Sequence, residues 1–208
     1  MLCFACISPH PPLLLPTVGT DEDRLKVKNT LEALKSLKST FREKTADDIL
    51  ISSPHTDWGF NVPLFFLAEG FRGHVKTYLT ADKPPSLYFT EGRKVYQSTI
   101  SNLKSEIAII ASGDLSHCLK EDGPYGFHPD GPKFDETLIQ FLKKKNVNGI
   151  LRLNDNFPNA AECGLRSFSF LLGILTESGL DWQPQILSYE GPFGVGYLVA
   201  NFLLPSGD

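Results

Sequence analysis

The sequence has little that would carry it into a membrane or onto nucleic acid. No run approaches the roughly 18 consecutive apolar residues that a membrane-spanning helix needs. The first residues have neither a basic leader nor a small-residue cleavage site before Ser8-Pro9-His10 interrupts them, so no secretory signal is expected. Positive charge is not in excess: formal net charge is -4, and the longest basic run, Lys143-Lys144-Lys145, reads as the solvated last turn of a helix. Neither a membrane nor nucleic acid is an expected partner. Cysteine is scarce, and Cys3 and Cys6 have no second pair to complete a zinc ribbon. Three apart on a strand, they should point to opposite faces. Reduced thiols in a cytoplasmic protein are the expectation. No repeat, low-complexity tract or linker divides the chain. With 208 residues, 41% hydrophobic and 21% charged, it is expected to fold as one domain over 1–208.

What is present alternates between strand and helix. Leu2–Ile7, Asp48–Ser52 and Glu106–Ser112 are short apolar runs that read as buried strands. Asp21–Lys44 places Leu25, Leu31, Leu34, Leu37 and Phe41 at near-helical spacing among lysines. Lys133–Lys145 and Asn159–Glu177 also have helical periodicity, and Gln185–Tyr189 and Gly196–Leu204 read as closing strands. Between Gly59 and Arg93 the pattern suggests strands at Val62–Leu67 and Val75–Leu79. Such alternation predicts an α/β layered domain.

Each of the first three strands ends in a polar loop that carries a histidine: His10 in "ISPHPPLLLP", His55 in "ISSPHTDWG", His117 in "ASGDLSH". In open α/β sheets ligands bind outside the carboxyl ends of the strands, so these loops could converge on one site. A single histidine after a strand is ordinarily a loop residue or a hydrogen-bonded filler; three in the same context among five in the chain make a stronger pattern. Proline flanking His10 and preceding His55 stiffens both loops, as a metal ligand requires.

Two imidazoles need a further donor. Glu162, in the apolar "NAAECGLRSFSFLLGIL", is one candidate, since a buried carboxylate is costly unless paired or bound to a metal. Read as part of a helix, it could instead pair with Arg166 four residues on. Cys163 beside it is the rival, as a soft ligand or simply a core residue. Two histidines and a carboxylate with open positions form the facial triad of non-haem Fe(II) oxygenases. On that pattern His117 serves as general acid/base. Asp114 either orients His117 or caps the turn. His128, in a Gly/Pro-rich loop, is either a lid residue or a surface turn, and His74 has no such context.

Taken together, "PHPPLLLP", "ISSPHTDWG", "IIASGDLSHCLKEDGPYGFHPDGPKFDE", "AAECGLRSF" and "SYEGPFGVGY" resemble the class III extradiol ring-cleavage dioxygenase family. The nearest branch is that of the N-terminal domain of AmmeMemoRadiSam system protein A, related to Memo. The resemblance implies a three-layer α/β/α sandwich with a central mixed sheet. It implies Fe(II), or another divalent metal such as Zn, held by His10, His55 and Glu162, with His117 as acid/base. Memo-like relatives put a cysteine in the third ligand place, here Cys163. A hard carboxylate suits Fe(II) better than one thiol, so Glu162→Ala is expected to weaken iron binding more than Cys163→Ala. The implied partners are a small aromatic diol and dioxygen, a radical-SAM or AMMECR-type protein, and further copies of the chain. The alternative function is Memo-like binding of a metal or peptide without ring cleavage. The family's Asp-His-Gly segment is altered: "DWGFNVPLFFL" has Trp58 where its histidine would be, which bears on substrate handling more than on metal binding.

Overall fold

Short apolar runs form the middle of a six-stranded sheet in the order β3-β2-β4-β1-β6-β5. The computed structural model describes residues 1–205. In chain order the elements are β1 (Leu2–Ser8), α1 (Asp21–Lys26), α2 (Lys28–Glu43), β2 (Asp48–Ser53), α3 (Trp58–Leu67), β3 (His74–Leu79) and α4 (Pro85–Ser98). They continue with β4 (Ile107–Ser112), α5 (Asp130–Lys143), α6 (Val147–Ile150), α7 (Leu153–Asn156), α8 (Leu165–Glu177), β5 (Gln183–Glu190) and β6 (Tyr197–Leu203). β1, β2, β3 and β4 are mutually parallel, whereas β6 runs antiparallel to both β1 and β5. The sheet is therefore mixed.

Helices cover both faces, giving an α/β/α sandwich. On one side Leu34, Leu37 and Phe41 of α2 and Val62 and Leu67 of α3 pack against Phe4, Cys6, Ile49, Ile51, Ala108 and Ile110. On the other, Phe134 and Leu138 of α5 and Phe168, Leu171 and Leu172 of α8 pack against Ala5, Ile7, Ile109 and Ala111. The alternation of these residues along β1 and β4 is the period of two that sends successive side chains to opposite layers.

Several local expectations are corrected. The run expected as a strand at Val62–Leu67 is helix α3: Gly59, Val62, Pro63 and Leu67 are its buried positions, a helical rather than an alternating pattern. The helix expected over Asp21–Lys44 breaks at Val27, whose backbone (φ -112°, ψ 25°) leaves the helical region. The helix expected from Asn159 begins only at Leu165, because Ala161 adopts a left-handed conformation at φ 53°. Cys3 and Cys6 pack toward the same layer, since a register shift between Leu2 and Phe4 interrupts the alternation. All four cysteines are free. No helix among the described residues is long and apolar enough to cross a membrane.

Candidate metal and substrate cleft

The parallel strands β1, β2 and β4 all end at one edge of the sheet, so the loops that follow them meet there. Because β4 lies between β2 and β1, the loop bearing His117 and Asp114 is flanked by those bearing His55 and His10. The result is a cleft of about 420 Å³ with His10, His55, Asp114 and His117 in its wall and Trp58 and Tyr125 at its mouth. A hollow of about 460 Å³ at the other end of β1, near Met1, Cys3 and Tyr96, is lined by no histidine.

His10 is buried, and Asp114 and Ser112 fix it. Its backbone N–H donates to Asp114 Oδ1 at 3.1 Å, tying the first loop to the third. Its ring Nδ1 lies 2.9 Å from Ser112 Oγ, at the end of β4. Ser112 Oγ–H in turn donates to the carbonyl of Gly59. That carbonyl is free because Pro63, four residues along α3, has no N–H to offer it. A carbonyl only accepts, so the single hydroxyl hydrogen of Ser112 is spent on Gly59, and Ser112 must accept from His10. His10 is thereby held as the Nδ1–H tautomer, with the lone pair of Nε2 turned toward Cys163 Sγ at 3.5 Å and Asp114 Oδ2 at 3.7 Å. Burial, and then the neighbouring His55, press its pKa down to about 3, so the ring is neutral at physiological pH.

The ligand atoms of His10, His55 and Cys163 all lie within 4.8 Å of one another. The rings of His10 and His55 meet edge to face, with centroids 5.3 Å apart. Cys163 Sγ is 3.5 Å from His10 Nε2 and accepts the backbone N–H of Asp114 at 3.3 Å. Burial, with Asp114 adding to it, holds the thiol well above its ordinary pKa. A second group, Asp114, His117 and Cys163, satisfies the same spacing and shares the thiol. Burial raises the Asp114 carboxyl to about 6, against an opposing pull from His117. The half-buried His117 is pushed down, chiefly by burial, with Asp114 opposing, and its Nδ1 has no hydrogen-bond partner among the described residues.

Glu162 stands apart from both groups. One carboxylate oxygen accepts the Leu165 N–H at 2.7 Å, satisfying the start of α8, and the other receives Arg166 at 3.1 Å. Of the two adjacent candidates for the third ligand place, the thiol lies by the imidazoles and the carboxylate is engaged by Leu165 and Arg166 at the start of α8. Asp114 holds the His10 amide rather than capping its own turn. His128 accepts the Asp130 N–H at 3.1 Å, as a turn residue, and does not line the cleft. His74 is exposed beside Asp48, at the beginning of β3.

Backbone proximity holds the thiol in place. A Cβ on Gly113 would fall 2.3 Å from the Gly164 Cα, and one on Gly164 would fall 2.4 Å from the Phe168 ring. Only glycine at both positions lets the Asp114 and Cys163 segments approach so closely. Neither the relay of Ser112, Gly59 and Pro63 nor the place of Tyr125 and Tyr197 in the cleft was expected from the sequence. The signals were a polar residue at the end of an otherwise apolar strand and a proline inside what proved to be a helix.

A model of the LigB family, described as the catalytic LigB subunit of aromatic ring-opening dioxygenase, matches residues 55–200. That span includes His55, Asp114, His117 and Cys163 and leaves out His10. Protein CA_C1420 of Clostridium acetobutylicum is 28% identical over a 270-residue alignment that covers 96% of this chain and 57% of that protein. The chain thus spans little more than half the length of that relative, and the alignment exceeds the chain because the relative carries insertions. The crystal structure of uncharacterized protein JW3007 from Escherichia coli K12 superposes with a TM-score of 0.64 over 96% of this chain and 99% of that one. At 14% identity, that is a likeness of fold.

Proposed function

The chain belongs to the family of the catalytic LigB subunit of aromatic ring-opening dioxygenases, and we propose that it opens a small aromatic diol with dioxygen in the cleft lined by His10, His55 and His117, beside the His10–His55–Cys163 group. The observation that carries this reading is the convergence of three donor atoms within 4.8 Å from three separate segments, one of them an imidazole whose tautomer is already set for ligation. Those residues fit a metal. Imidazole nitrogens and a cysteine sulfur, which would ligate as the thiolate after giving up its proton to solvent, are the donor chemistry of a divalent transition ion such as Fe(II) or Zn. Glu162, its oxygens engaged by Leu165 and Arg166, is left outside the proposed set. Fe(II) bound there would supply Lewis acidity to a diol oxygen and a redox couple able to engage dioxygen.

The protein's own groups account for the remaining tasks. His117, neutral because burial lowers its pKa, is the group that takes a hydroxyl proton from the diol and can return it. Asp114 steadies that exchange by facing the imidazolium as it forms, while its other role is to hold the His10 backbone. The test is an aerobic assay of the Fe(II)-loaded protein with a panel of catechols, watching for the yellow ring-opened product. Protein shown to hold iron that yields no product with any diol sinks the ring-opening reading.

Two observations favour a second reading. Of the neighbours Glu162 and Cys163 it is the thiol that joins the two imidazoles, as in the Memo-like relatives, and Trp58 stands where ring-cleaving members have a histidine. On this reading the site binds a metal without ring cleavage and acts beside a radical-SAM or AMMECR-type partner. Retained metal, lost on His10→Ala or His55→Ala, together with silence across the catechol panel, is its expected signature.

A further inference from the structure

We propose that Trp58 and Tyr125 form an aromatic clamp at the mouth of the cleft that selects flat, uncharged aryl rings and rejects aryl carboxylates. This rests on the reading that the cleft handles an aromatic substrate and adds which aromatics it admits. The two side chains come from unrelated segments, Trp58 from the first turn of α3 and Tyr125 from the long loop between β4 and α5. Each leans on a histidine of the cleft wall. Trp58 lies 5.5 Å from the His55 ring at a tilt of 36°, and Tyr125 meets the His117 ring edge-on at 5.6 Å.

Both are unusually open to solvent for their size, Trp58 at 46% and Tyr125 at 69%. Large aromatic faces left bare in the lining of a cleft, each beside an imidazole, offer stacking surface to a planar ligand and little to a puckered one. Charge supplies the second half of the selection. Among the described residues no lysine or arginine lines the cleft, and its one carboxylate, Asp114, is of the wrong sign to receive an anion. A ring stacked on Trp58 or Tyr125 with its hydroxyls toward the histidines carries its other substituents, in the ring plane, along those aromatic faces. A carboxylate placed there meets aromatic faces and no cation.

The experiment is calorimetric titration of the protein as isolated, under argon, with 4-methylcatechol, 3,4-dihydroxybenzoate and cyclohexane-1,2-diol. The expected result is that 4-methylcatechol binds up to about 10-fold more tightly than cyclohexane-1,2-diol, the scale of one favourable stacking contact, and also more tightly than 3,4-dihydroxybenzoate, whose carboxylate finds no cation. Trp58→Ala and Tyr125→Ala should each weaken 4-methylcatechol by about 10-fold, and Trp58→Phe should keep most of the affinity. Equal binding of 3,4-dihydroxybenzoate, no binding of 4-methylcatechol, or an unchanged affinity in Trp58→Ala overturns the clamp. Because the readout is binding alone, a protein that shows this preference yet forms no ring-opened product refutes the ring-opening proposal and leaves the clamp standing.

Discussion

Replacing Ser112 by alanine should damage stability and metal binding through two separable routes. The hydroxyl is fully buried, accepts from His10 Nδ1 at 2.9 Å and donates to the Gly59 carbonyl. Its removal orphans a buried donor and a buried acceptor, at about 1–3 kcal/mol each. We expect a loss of roughly 3 kcal/mol, which for a chain of this size lowers Tm by about 6–12 °C and leaves the protein folded. Without an acceptor, His10 no longer prefers the Nδ1–H tautomer, and metal affinity should fall roughly 10–100-fold. Pro63→Ala separates the two effects. It returns an N–H to α3 opposite Gly59, so Ser112→Ala should cost about 1 kcal/mol less in that background. It does nothing for His10, so metal affinity stays low. Chemical denaturation across the four-protein cycle measures the first effect and competition titration with Zn(II) the second. The His10 ring nitrogen shifts, read by NMR on metal-free protein, report the tautomer directly. An unprotonated Nδ1 in the wild type, or an equal cost of Ser112→Ala in both backgrounds, would refute the reasoning.

Three further outcomes are expected. Cys163→Ser should weaken metal binding at least about 10-fold, whereas Glu162→Gln should chiefly lower Tm by loosening the start of α8; titration of both variants in parallel decides, and the reverse order restores the carboxylate as third ligand. Gly164→Ala forces a Cβ to within 2.4 Å of the Phe168 ring, so it should cost about 1–3 kcal/mol and make Cys163 react faster with a disulfide reagent as its segment moves away from Asp114. Asp135 accepts the Ser116 N–H at 2.8 Å and Tyr189 Oη–H at 2.7 Å, and burial raises its carboxyl from 3.8 to about 7. The native state keeps a proton that the unfolded chain gives up, so this contribution to stability is full below about pH 4 and lost as pH rises to 7. Asp135→Asn should flatten urea stability across that window relative to the wild type; parallel curves would show that Asp135 is not the group responsible.

The layers of the fold and the strand ends that carry His10, His55 and His117 could be read from local pattern. Short apolar runs closed at once by Ser-Pro, Ser-Ser-Pro or Ser-Gly read as buried strands, and a histidine just past such a run lies at the sheet's edge. The α3 segment could not be read in this way, because five or six apolar residues satisfy a strand and a helix alike. Its Gly59, Val62, Pro63 and Leu67 reveal their period only once α2 is in place on one side.

The α/β class, the family blocks and the identity of the groups available for chemistry are written in the order of residues. Which of those groups face one another follows only from the folded chain. Glu162 and Cys163 are neighbours with equal claims in the sequence, yet the left-handed turn at Ala161 and the contact of Gly113 with Gly164 aim the thiol at His10 and leave the carboxylate to Arg166. The tautomer of His10 depends on a hydroxyl and a helix carbonyl that meet only because β4 lies between β1 and β2. Periodicity is set by near neighbours in the chain; the direction of one side chain in a loop is set by backbone that folds against it from far along the sequence.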